Sequence, residues 1–369
     1  MTGRWSTRSG PSRVDYIRWA KENVGVGEYP LTMSAVPPVD WKEVGIDPRS
    51  LELFEFSRYG DEELLAGIAG EWGLTSDHVL LGGSASHAHF CCAAALLEPG
   101  DRVLQEMPGY LPLLDGLSVL GVETVPFHRR FEDGYRLPVA ELRESVRDRQ
   151  VRLLLLTDLH NPSGVALTEE ERRFLADLCE DSGVTVIVDE MYRPFIEPDP
   201  GPLHRLHDGI IAIRGLNKVH GLSQIRVGWG IGAPAVIERA RRVLDGTTIH
   251  NSYLTDQVAR QAWRVRDRLV ERARRIAAEG NAILGDWLRA SPLEVVEPDG
   301  GLVWFPRVPP SVAEDGDALR TAALRVGVNL TPGRFFGAPS HVRVGCALPP
   351  PALREALRRL AGALPGFAR

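Results

Sequence analysis

The sequence predicts an α/β protein: a mostly parallel sheet with helices on both faces, joined to a smaller α+β part. Three observations carry this expectation. Short apolar runs alternate with helical patterns from about residue 78 to residue 214. Two of those runs, 151–157 and 184–188, are almost continuously apolar, as in strands buried on both faces. After residue 255 the pattern changes to a long, Arg-rich amphipathic stretch followed by separated short apolar runs. A βαβα order favours parallel strands with helical crossovers, and 369 residues are too many for one small core.

Each element has a local reason. Residues 13–22 fit an N-terminal helix, and an irregular stretch rich in Gly and Pro follows. Residues 62–72 carry Leu64, Leu65, Ile68, Ala69 and Trp72 at helical spacing. Residues 78–81 read as a buried strand leading into Gly82-Gly83-Ser84-Ala85-Ser86, and an apolar helix over 87–97 stops at Glu98-Pro99-Gly100. Strands at 102–105, 122–127, 151–157, 184–188 and 210–214 alternate with helices at 110–120, 139–146 and 168–181. The last of these helices opens on Thr168-Glu169-Glu170-Glu171, a capping pattern. One long helix is expected over about 255–289, then strands at 293–296, 303–305 and 341–344 and a C-terminal helix from Pro351. The expected division is a large domain over 46–254 and a smaller one formed by 1–45 with 255–369.

Composition narrows the function classes. A net charge of −6 argues against a nucleic-acid partner held by a basic surface. No apolar run reaches the roughly 18–20 residues that cross a bilayer, and the polar, basic residues 1–13 do not lead into the apolar segment of a secretory signal. Cys91, Cys92, Cys179 and Cys346 form no CxxC pair and no zinc spacing, so no metal is expected and a reducing cytoplasm suits them. Only Lys21, Lys42 and Lys218 among the 43 basic residues are lysines. A lysine kept where charge defaults to Arg draws notice, because only Lys has a primary amine that can form an imine.

In a parallel sheet, ligands bind beyond the carboxyl ends of the strands. Four predicted strand ends lead into marked residues: the Ser84 loop, His160-Asn161-Pro162-Ser163-Gly164, Asp189-Glu190-Met191-Tyr192, and Asn217-Lys218. Each segment alone fits a turn or a helix cap. Their convergence on one crevice is the argument for a site.

These segments, with Gly221-Leu222 and Arg226-Val227-Gly228, resemble the fold-type I enzymes of the class I/II aminotransferase family, which use pyridoxal 5′-phosphate (PLP). The resemblance runs from about Tyr59 to the C-terminus and implies a seven-stranded, mostly parallel sheet in the large domain. It implies that Lys218 holds PLP as a Schiff base and moves protons at the substrate α-carbon. Asp189 would face the pyridine nitrogen, Asn161 and Tyr192 the 3′-oxygen, and Tyr110 the ring face. Ser84, Ala85, Ser86 and Arg226 would hold the phosphate. Tyr59 would reach the phosphate of a partner subunit, which implies a homodimer with shared active sites. Arg343 would fork the carboxylate of an amino-acid substrate, while Arg334 and Asn251 (beside Thr247, Thr248 and His250) are further candidates for substrate contact. The chain departs from the family where Gly215 and Asn217 replace the usual hydroxyl residues before the lysine, so one phosphate hydroxyl is expected to be missing.

The N-terminal helix, Pro332-Gly333-Arg334-Phe335-Phe336-Gly337 and Gly300-Gly301-Leu302-Val303-Trp304-Phe305-Pro306 look closest to the capreomycidine-synthase-like, natural-product subgroup. Several reactions stay open: transamination, C–S β-elimination or oxidative decarboxylation-deamination of an S-conjugated cysteine, and cyclisation or hydroxylation of an arginine derivative. A PLP-fold binding protein without turnover is the reading from another class.

Overall fold

The computed structural model describes residues 14–53, 57–149, 151–365 and 367. Twelve strands occur among the described residues: β1 (Tyr29–Pro30), β2 (Val79–Gly82), β3 (Arg102–Met107), β4 (Glu123–His128), β5 (Val151–Thr157), β6 (Thr185–Asp189), β7 (Ile210–Gly215), β8 (Gly228–Ile231), β9 (Val303–Trp304), β10 (Val328–Asn329), β11 (Thr331–Pro332) and β12 (Val342–Gly345). Seven form the main sheet in the order β2-β8-β7-β6-β5-β3-β4. β8 runs antiparallel to β2 and β7, and the other neighbours are parallel.

The apolar run of β5 is explained by its two buried faces. Leu154 and Leu156 pack with Phe174, Leu175 and Leu178 of the helix Glu169–Ser182. Leu153 and Leu155 face the other way, with Cys91, Cys92, Ile237 and Leu244. Side chains alternate along a strand, so covering both faces demands apolar residues from Leu153 to Leu156, while Arg152 near the strand start is exposed.

β8 has no such run, because alternate positions are glycines pressed against the helix Ala85–Ala94. A Cβ on Gly228 would lie 2.2 Å from the Ala85 nitrogen, and one on Gly230 would lie 2.9 Å from Cys92 Sγ. The sequence pattern left this strand unread for that reason.

The smaller sheet is β11-β12-β9, antiparallel throughout, and β1 pairs in parallel with β10. Leu31, next to β1, shares a core with Ala273, Ala277, Leu284 and Leu288 of the long helix Arg266–Ala290 and with Leu353, Leu357 and Leu360 of the C-terminal helix Pro350–Ala361.

Three expectations need correction. The helix expected over 110–120 is a single turn, Pro112–Asp115, followed by a 3₁₀ turn. Its bonding tightens to i→i−3 where the Leu117 N–H meets Leu114 O at 2.7 Å. The one helix expected over 255–289 is two, Tyr253–Trp263 and Arg266–Ala290. At the break the Val265 N–H turns to Ala262 O, and the Arg266 guanidinium donates to Trp263 O at 3.2 Å. The strand expected over 293–296 is one isolated bridge, Glu294 to Arg307. Pro298 follows closely and has no N–H to extend a ladder.

Candidate active site

Sheet register builds the floor of the site. Thr157 pairs with Asp189 across β5 and β6, and Asp189 pairs with Ile213 across β6 and β7. Lys218 follows three residues after β7 ends. These strand ends therefore open into one pocket, lined by Tyr16, Ser34, Tyr110, Thr157, Asn161, Asp189, Met191, Tyr192 and Lys218.

Lys218 Nζ donates to Ser34 Oγ at 3.3 Å, and the Tyr192 hydroxyl donates to Ser34 O at 2.8 Å. Asp189 Oδ1 accepts the Met191 N–H at 3.0 Å. Burial pushes the Asp189 carboxyl up to about 6, against the opposing pull of the Met191 N–H and the Lys218 ammonium. Asp189 keeps some exposed area, which opens into the pocket, while its carboxyl group is otherwise enclosed by protein. A carboxylate enclosed in this way has a strong preference for a cationic neighbour.

Asn161 is anchored through its backbone. Its N–H donates to Thr157 Oγ1 at 2.8 Å, and Thr157 donates its hydroxyl to Glu106 Oε1 at 2.5 Å. Glu106 also receives the Thr157 N–H at 2.8 Å and faces Arg129 at 3.1 Å. Burial holds the Glu106 carboxyl up at about 7, opposed by Arg129 and the Thr157 hydrogen bonds. The turn into Tyr110 needs glycine at 109, where a Cβ would meet Glu106 O at 2.3 Å.

The opposite wall comes from distant parts of the chain. Arg343 lies on β12, paired with Thr331 of β11. It is 1% exposed, so its charge needs partners inside the protein. It donates to Asn161 Oδ1 at 3.0 Å, to the Tyr16 hydroxyl at 2.7 Å and to Thr32 O at 3.4 Å, and lies 4.9 Å from the Phe336 ring centre. Tyr16 sits on the N-terminal helix Asp15–Glu22, edge-on to Tyr110 at 5.7 Å and close to Phe335 and Phe336.

The phosphate candidates gather at a neighbouring sheet edge. Gly82 pairs with Gly228, which brings the Ser84 loop beside the segment containing Arg226. Ser84 Oγ caps the helix Ala85–Ala94 by accepting the His87 N–H at 3.0 Å. The Ala85 and Ser86 N–H groups lie ahead of the first i→i−4 bond of that helix, a position that favours anions. Arg226 is exposed and holds φ at +48°, a conformation that costs a non-glycine residue energy. In the amide orientation that satisfies both ends of Asn217, its oxygen accepts from Arg226 at 2.9 Å and its nitrogen donates to Val227 O at 2.8 Å.

Eight candidates lie outside the pocket lining itself: Arg343 and the phosphate set Ser84, Ala85, Ser86 and Arg226, described above, and Tyr59, Asn251 and Arg334. Tyr59 packs under Arg241 and donates its hydroxyl to Asp245 at 3.3 Å. Asn251 donates to Leu81 O at 2.8 Å, beside the Ser84 loop. Arg334 pairs with Asp317 at the surface and lies over the Phe335 ring. Tyr16, Ser34 and Thr157 are the lining residues that sequence reasoning missed. Tyr16 carried a weak signal, as an aromatic in an amphipathic N-terminal helix; Ser34 carried none.

The residues present fit PLP. An amine and an enclosed carboxylate face one pocket, and a capped helix start lies at the adjoining edge where a phosphate would be held. Comparisons with known proteins agree. Residues 20–360 match the family described as aminotransferase class I and II. Capreomycidine synthase of Streptomyces vinaceus is 28% identical over 366 residues, covering 95% of this chain and 93% of that protein. Arginine–pyruvate transaminase of Pseudomonas aeruginosa is 27% identical, covering 78% of this chain and 74% of that protein. In fold, a PLP-dependent aminotransferase from Streptococcus suis superposes with a TM-score of 0.90 at 24% identity, covering 98% of this chain and 99% of that one. A mutant aspartate aminotransferase of Thermus thermophilus gives 0.84 at 23% identity, covering 95% of each chain. The chain belongs to the class I and II aminotransferase family, whose enzymes depend on pyridoxal 5′-phosphate.

Proposed function

We propose that this enzyme acts on the α-amino group of an amino acid, with Lys218 as the covalent anchor for PLP and the proton carrier, in specialised metabolism. The observation that carries the reading is the convergence of Lys218, Asp189 and Asn161 on one pocket, with Arg343 hydrogen-bonded to Asn161. When bound, PLP supplies an aldehyde that captures amines and a ring that withdraws electrons from the α-carbon.

The chain's own residues supply the rest. Asp189 holds a proton at the ring nitrogen, which a carboxylate pushed up by burial favours because the cation relieves its desolvation. Asn161 and Tyr192 would hold the 3′-oxygen, and Tyr110 would pack against the ring. Arg343 orients the substrate carboxylate through its fork. Lys218 Nζ, with Ser34 Oγ at 3.3 Å, takes and returns the proton at the substrate α-carbon. The aromatic group of Tyr16, Phe335 and Phe336 excludes water from that carbon.

Transamination is the first reading. The alternative is elimination, oxidative decarboxylation-deamination or cyclisation of a side-chain-substituted amino acid, favoured by the span of the capreomycidine synthase match. The proposal further comprises a cytoplasmic homodimer in which Tyr59 reaches the neighbouring phosphate, a large domain over 46–254 and a smaller one from 1–45 with 255–369. Among the described residues no helix is long and apolar enough to cross a membrane.

A spectroscopic screen of amino acids, with and without a keto acid and oxygen, tests the reading. Purified protein is expected to be yellow and to change spectrum with its substrate. Turnover that requires a keto acid supports transamination; ammonia or thiol release without one supports the alternative. Protein that stays colourless after PLP is added would overturn both.

A further inference from the structure

Met191 borders two clefts. One contains Lys218. The other, about 720 Å³, lies against the start of the helix Arg266–Ala290 and takes in none of the cofactor or substrate residues above. Its volume is typical of small-molecule sites.

Three indoles line it: Trp72, Trp229 and Trp263. Much of the lining charge is already paired. Arg214 reaches Glu190 at 2.7 Å and Asp199 at 2.8 Å, and lies 5.2 Å from the Trp72 ring centre. Arg266 lies over Trp263 and 3.5 Å from Glu71, and Arg274 holds Glu197 at 2.9 Å. With Arg275 counted, four arginines face six carboxylates, the last two being Asp267 and Glu271. The cleft therefore carries surplus negative charge.

Three enclosed side-chain atoms in this lining lack a hydrogen-bond partner among the described residues: Arg266 Nε, which lies 3.5 Å from Glu71, and the uncharged pair His220 Nδ1 and Trp229 Nε1. The residues of that pair are 6% and 3% exposed. Native interiors leave few such atoms unsatisfied. The two members of the pair are chemically opposite. Burial holds the His220 imidazole down to about 4, so the ring is neutral and has one acceptor nitrogen, a role open to the unpartnered Nδ1. The indole Nε1 of Trp229 can only donate.

We propose that this cleft is a second binding site, for a small organic cation of the guanidinium or ammonium class that also carries a carbonyl-type oxygen. The cation's N–H groups meet His220 Nδ1 and the surplus carboxylates, its charge lies against indole faces, and its oxygen accepts the Trp229 N–H. The proposal does not depend on the reaction performed at Lys218.

Calorimetric titration of the holoenzyme with 4-guanidinobutanamide tests it. The probe lacks an aliphatic amine, so it does not condense with the cofactor aldehyde, and 4-ureidobutanamide is its neutral counterpart of similar shape. Saturable binding at one site per chain is expected, about tenfold weaker for the ureido compound and about tenfold weaker in Trp229→Phe and in Glu271→Gln. Circular dichroism checks that Trp229→Phe folds, and the exposed Glu271→Gln keeps the test decisive if it does not. Lack of saturable binding in the millimolar range overturns the proposal. So does equal affinity for the two compounds, affinity unchanged in the folded variants, or competition by an amino acid turned over at Lys218.

Discussion

The two walls of the Lys218 pocket are built by different means. The proposed cofactor wall is made by adjacent strand ends of one sheet: register sets Thr157 beside Asp189 and Asp189 beside Ile213, and Lys218 follows three residues after that last strand ends. The proposed substrate wall is made by Arg343 and Tyr16, which meet at 2.7 Å although 327 positions separate them. Arg343 is fixed within a sheet. Tyr16 stands on an eight-residue helix with no fully buried residue, a length marginal on its own. The difference teaches that the wall proposed to carry the chemistry is held by a hydrogen-bonded ladder, whereas the wall proposed to recognise substrate rests partly on side-chain contacts of a weakly anchored helix.

Four substitutions would break or sharpen that contrast. The largest effect belongs to Lys218→Ala, which removes covalent attachment and the proton carrier; kcat should fall by about 10³-fold or more, read by steady-state turnover. Asp189→Asn should cost about 10²- to 10³-fold in kcat while pyridoxyl attachment at Lys218 survives, read by borohydride trapping and peptide mapping. Arg343→Lys keeps charge but loses the fork, so KM for the amino acid should rise about 10- to 100-fold with kcat little changed. Tyr16→Phe deletes one hydroxyl, and KM should rise only about three- to tenfold, with PLP affinity unaltered. If Tyr16→Phe reduced kcat as severely as Asp189→Asn, the division into two walls would be wrong.

The smallest expected effect is in pH and belongs to the cofactor wall alone. The folded Asp189 carboxyl is raised to about 6 from its usual 3.8, so the folded state binds that proton more tightly than the unfolded chain does. Its contribution is therefore fully present below about pH 4 and is lost as pH rises through about 6. In the cofactor-free protein, Asp189→Asn should lack this decline, gaining about 1–3 °C in Tm over the wild type at pH 7 relative to pH 4. Arg343→Lys should show no such crossover. A thermal-melt series across that range checks both.

The asymmetry between the walls also explains what could be read early. Lys218, Asp189, Asn161 and Tyr192 follow strands whose apolar runs announce themselves, and the polar residues that interrupt such runs stand out. Tyr16 and Ser34 follow no such rule. Their role depends on where Asp15–Glu22 and the segment after β1 come to rest, which β1–β10 pairing and packing against Phe335 and Phe336 decide. Arg334 shows the converse. Its sequence position suggested substrate contact, and the structure pairs it with Asp317 at the surface.

The sequence by itself determined the mostly parallel sheet, the lysine, the carboxylate at the end of the strand preceding the one that leads into it, and the arginine of the last strand, because periodicity and residue chemistry are local properties. Only the tertiary structure decided that β8 is a strand, that Tyr16 closes over Arg343, and that a second, three-indole cleft borders Met191. These depend on close approaches between segments far apart in the chain: a glycine strand pressed on a helix, a phenol on a guanidinium, indoles from three elements around one space. No local pattern encodes them, since each is fixed by the packing of the whole.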